Sequence, residues 1–98
     1  MKDIDSARRR ALADNQKAVQ EARSRIEMLK KRRAGYDKEL EFYKDGAKPP
    51  PKLAEDVRAT EVDIEATEGL LASKQKETQN INAKYDEDKR RYQELTGR

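Results

Sequence analysis

Lys44-Asp45-Gly46-Ala47-Lys48-Pro49-Pro50-Pro51-Lys52 decides the fold. Three consecutive prolines cannot continue a helix, because each lacks an N–H and pushes the residue before it out of the α region. They suit the first turn of the next helix, where an N–H has no intrahelical partner anyway. Gly46 adopts the left-handed conformation that ends a helix without a Cβ penalty. Glu55 and Asp56 place negative charge near the start of the helix that follows, where the macrodipole favours it. The prolines lack the P-x-x-P spacing of an SH3 ligand, so the stretch reads as a rigid hairpin tip.

Working outward, both flanks read as long polar helices. In the first arm, residues 3–43, one edge runs Asp5, Leu12, Val19, Ile26, Arg33, Leu40. The other runs Arg8, Asn15, Ala22, Leu29, Tyr36, Tyr43. Steps of three and four alternate without a skip. Eight of these twelve positions are apolar or Tyr, so the seam exists but is interrupted. A sustained seven-residue repeat implies a left-handed supercoil. Asp3, Asp5 and Ser6 are candidate N-caps. Glu21–Arg25 and Glu27–Lys31 have the acid-before-base spacing that supports an outer helix face.

The second arm repeats the arithmetic. One edge is Val57, Ile64, Leu71, Thr78, Tyr85, Tyr92; the other is Leu53, Thr60, Thr67, Lys74, Ile81, Asp88, Leu95. Lys74 and Asp88 break the line. Asp86–Arg90 and Glu87–Arg91 are helpful i,i+4 pairs. Gly97 is a plausible stop. Each arm predicts a rod of roughly 60 Å at the α-helical rise.

The expected fold is all-α: a single two-helix antiparallel coiled-coil hairpin over residues 1–98, with left-handed heptad packing, able to pair into a four-helix bundle. Helix 1 is expected over about 4–44, the turn over 45–52 and helix 2 over about 53–96. In an antiparallel pair, the numbers of facing residues sum to a constant. A sum near 93 faces Leu40 with Leu53, Leu29 with Ile64 and Leu12 with Ile81. A sum near 100 faces Tyr36 with Ile64 and Val19 with Ile81. The first fills more layers with two apolar groups, although it opposes Asp5 and Asp88. A third arrangement keeps the chain open and pairs arms between molecules.

Composition limits what the chain can do. Charged residues make up 44% and hydrophobic ones 34%, too few for a thick globular core. The first arm carries eleven basic against eight acidic residues, net +3. The second, residues 53–98, carries eight against eleven, net −3. Arms of opposite sign favour folding back on each other. The chain has no Cys and no His, which removes thiol chemistry, thiolate–metal sites and the commonest general base. The carboxylates Glu61, Asp63, Glu65 and Glu68 lack the spacing of a calcium loop. No nucleotide or hydrolase motif occurs, and a helix pair has no concave pocket, so no enzyme activity, cofactor or small-molecule substrate is expected. The four tyrosines fall on the seam and read as packing groups. No signal-peptide pattern opens the chain and no apolar run approaches a membrane span; an excised piece would look the same, so the compartment is not readable.

The expected function is a structural or protein-interaction module: a spacer, adaptor or assembly element. Its partner would be another helix or a second copy of the chain. Met28, Phe42, Val62 and Leu70 are large apolar residues off the seam and are the candidate contacts. The alternative is sequence-independent binding to a nucleic-acid backbone. It would use Arg8, Arg9 and Arg10; Lys30, Lys31, Arg32 and Arg33; and Lys89, Arg90 and Arg91. No aromatic residues interleave with these clusters as stacking platforms.

Overall fold

The computed structural model describes residues 2–44 and 46–97; Asp45, part of the expected turn, lies outside them. The topology is a helical hairpin: α1, Lys2–Glu41, and α2, Pro51–Thr96. The helix ends differ from expectation. Asp3, Asp5 and Ser6 lie inside α1 rather than capping it, and the two acids sit in its first turn, where the dipole favours them. α1 stops at Glu41, not near 44, because the chain tightens: the N–H groups of Phe42, Tyr43 and Lys44 donate to carbonyls three residues back. α2 begins at Pro51, inside the expected turn. Proline is pre-organised for a first helical position, and the Leu53 and Ala54 N–H groups both donate to the Pro50 carbonyl, at 3.0 and 3.3 Å.

Gly46 has φ of 91°. Any side chain there would be strained although nothing crowds it. Gly46→Ala is expected to cost roughly 1–2 kcal/mol, read as a lower thermal midpoint in far-UV circular dichroism. An unchanged midpoint would show that the turn does not need this conformation. Gly97 has a different requirement: a Cβ there would meet the Gln93 carbonyl oxygen at 2.6 Å.

By its contacts the chain divides into two compact units, Ala22–Leu70 and Met1–Glu21 with Leu71–Arg98. The first holds the apolar core. Ala22, Ile26 and Leu29 from α1 and Leu53 from α2 are buried. Thr60 and Thr67 are buried beside them. Their hydroxyls donate to the carbonyls of Asp56 and Asp63 at 2.7 Å, so each polar group is satisfied within its own helix and the methyl is left to pack. Arg33, an interruption in the expected seam, stays half-buried and forms ion pairs with Asp37 on its own helix and Glu61 across it. The hydrogen bond to Asp37, then the charge of Glu61, raise the Arg33 pKa despite partial desolvation.

The second unit has a different centre. Its one buried residue among those described is Asn15. Asn15 Nδ2 donates to Glu77 Oε2 at 3.1 Å, and Thr78 donates its hydroxyl to Asn15 Oδ1. Arg8 pairs with Asp86, and Lys89 lies 3.4 Å from Asp5. The numbers of these facing pairs add to 92–94, the register expected near 93. Lys89 supplies the positive charge that the facing Asp5 and Asp88 lacked in the sequence reading. Tyr92 and Leu95 do not join the seam; they are 42% and 77% exposed.

Candidate interaction surface

The four off-seam apolar residues are all exposed: Met28 52%, Phe42 84%, Val62 58% and Leu70 50%. Their directions follow from the heptad. With Ile26 and Arg33 as position a and Leu29 as d, Met28, Gly35 and Phe42 share the c line, and Arg25 and Arg32 lie on g. In α2, Ile64 is a and Thr67 is d. Ala59 and Ala66 then fall on c, Asp63 and Leu70 on g, and Val62 on f, directly opposite the seam.

Equivalent flanking positions of an antiparallel pair lie on the same side of it. Arg33 at a reaches Glu61 at e, which fixes the e side of unit Ala22–Leu70. The opposite side is therefore formed by the g and c lines. By the repeat, that side carries Met28 and Leu70 with Gly35, Ala59 and Ala66, and runs toward Phe42 in the turn after α1. Val62 is not part of it. Small residues at c in α2 were visible in the sequence, but their meaning depends on which side the register turns toward Met28.

Half of the residues in the basic clusters are paired within the fold. Arg8 pairs with Asp86, and Arg33 with Asp37 and Glu61. Lys89 pairs with Asp5, Arg90 with Glu94 and Arg91 with Glu87. The expected Asp86–Arg90 pair does not form, because Asp86 turns across to Arg8 and Arg90 reaches forward to Glu94 at 3.2 Å. Glu87–Arg91 forms as expected, at 2.9 Å. Arg9, Arg10, Lys30, Lys31 and Arg32 are exposed and have no carboxylate at ion-pair distance among the described residues. Asp63, Glu65 and Glu68 on α2 are likewise exposed, with no basic group at ion-pair distance among the described residues.

An open depression on unit Ala22–Leu70 is lined by Leu40, Ala54, Val57, Arg58 and Glu61. It lies on the e side and is too shallow to exclude water from a reacting group. Among the described residues, no three carboxylates come together in a way that could hold a metal ion, and no helix is long and apolar enough to cross a membrane. No protein-family model, curated protein or solved structure matches this chain.

Proposed function

We propose that the chain is a non-enzymatic protein-interaction module, a left-handed antiparallel coiled coil whose outer apolar side chains dock another helix. The observation that carries this reading is the exposure of Met28 and Leu70 on one side of a helix pair whose own seam is already occupied. The handedness rests on the strict seven-residue repeat: every edge position of the first arm from Asp5 to Tyr43 is buried or half-buried. A spacer or adaptor built this way needs no cavity, because its recognition surface is one helix face. Phosphate-backbone binding has less support, since the ion pairs above neutralise half of the basic residues it would use.

A photo-crosslinking residue at Met28 or Leu70, in cells that make the chain, should give adducts of discrete mass. The same residue at the exposed Lys17 should give none. Equal labelling at all three positions would remove the basis for a defined interaction face.

A further inference from the structure

The side of unit Ala22–Leu70 that carries Met28 and Leu70 has an internal charge asymmetry. Its α1 half presents Arg25 and Arg32 with Glu39, net +1; its α2 half presents Asp56 and Asp63 with Lys52, net −1. The wider segments agree. Residues 22–41 hold seven basic and four acidic residues, net +3, whereas residues 51–70 hold two and six, net −4. A surface that is positive along one helix and negative along the other is complementary to itself after a two-fold rotation. We propose that this face binds a second copy of the chain, placing α1 of each copy against α2 of the other and closing a four-helix bundle over residues 22–70. This names the partner of the interaction module proposed above and rests on that reading.

Shape agrees with charge. Helix axes approach more closely where small residues lie at the contact. In the register that pairs Arg33 with Glu61, Met28 of one copy faces Ala66 of the other, and Gly35 faces Ala59. Gly35 stands inside α1 with open space where a Cβ would point, so nothing within the chain requires a glycine there. An interior glycine is a poorer helix former than alanine, and close approach of a second copy gives that cost a purpose. Arg32 of each copy then faces Asp63 of the other. Glu39 and Asp56 make the one like-charge pairing, near the turn, where Lys52 sits one helical turn before Asp56. About 30 Å of paired helix gives roughly 600 Å² per copy, the lower end of specific interfaces, so the dimer is weak and reversible.

A charge swap tests this. Sedimentation equilibrium of the full chain, from about 10 μM to about 1 mM, should show monomer–dimer exchange. Arg32→Asp alone sets acid against Asp63; Asp63→Arg alone sets base against Arg32. Each should weaken self-association at least about tenfold. Mixing the two variants should restore dimer, because both 32–63 pairs in the heterodimer are then opposite in sign. Both positions are exposed, and unchanged helicity by circular dichroism confirms that the variants fold. A wild-type chain that stays monomeric overturns the second copy as partner while crosslinks to a different protein would keep the interaction module. A dimer indifferent to the swap overturns this face and leaves self-association standing through another.

Discussion

Truncating Leu29 to Ala should lower the stability of the Ala22–Leu70 unit by about 2–4 kcal/mol. Leu29 is the most buried large side chain among the described residues, at 1% exposure. One turn from Arg33, it faces Ile64 across the pair. Removing its branched end leaves a void that helices held together by Arg33–Glu61 cannot fully close. Met28 is the internal control: it is next in sequence but half exposed, so Met28→Ala should stay within about 0.5 kcal/mol. Urea titration followed by far-UV circular dichroism gives both numbers. Adding Ile64→Ala and Leu71→Ala should melt the helices altogether and abolish association with them. If Leu29→Ala costs no more than Met28→Ala, the seam assignment fails. A dimer that dissociates before unfolding would make stability concentration-dependent, so the comparison is made at one protein concentration.

The hairpin was legible because its signals are local. Gly46 and three prolines interrupt the helix by backbone geometry alone, and a seven-residue repeat marks the buried stripe without knowledge of the partner. The helix ends were less so. Whether the chain at 42–44 continues as α or tightens depends on carbonyl partners three or four residues back, which differ by little in energy. Choices among charged partners were harder still. Asp86 has Arg90 one turn ahead and Arg8 across the pair, and only the register brings Arg8 close enough to compete. The candidate surface was half visible. Exposure of Met28, Phe42, Val62 and Leu70 follows from their positions off the seam. Their separation into a shared side and the opposite pole of α2 required the direction of the Arg33–Glu61 contact. Tyr92 and Leu95 keep the repeat yet are exposed, because periodicity marks a helix face without reporting whether that face is covered.

Asn15 and Thr78 carry the remaining large effect. Together they interrupt both edges of the repeat, and in the structure they meet: the Asn15 amide donates to Glu77 and accepts from Thr78. Lys74 Nζ lies 3.5 Å from both Glu77 oxygens and extends the network toward solvent. A satisfied polar layer contributes little net stability, and replacing all of its buried partners by apolar groups of similar shape is neutral or favourable. Its effect is on alternatives. Sliding to the register that sums near 100 would set Asn15 against Tyr85 and leave its amide without these partners. The double variant Asn15→Leu with Thr78→Val should therefore raise stability by about 1–2 kcal/mol while admitting the second register. The chain has no cysteine, so introduced pairs report register cleanly. Leu12→Cys with Ile81→Cys bridges only in the first register; Val19→Cys with Ile81→Cys bridges only in the second. The parent should form the first disulfide alone, and the Asn15/Thr78 variant should form both. A variant that gains stability yet still forms only the first bridge would place register control in the apolar layers and the Arg33 and Arg8 ion pairs. One that loses stability would mean that the polar network holds the helices together in its own right.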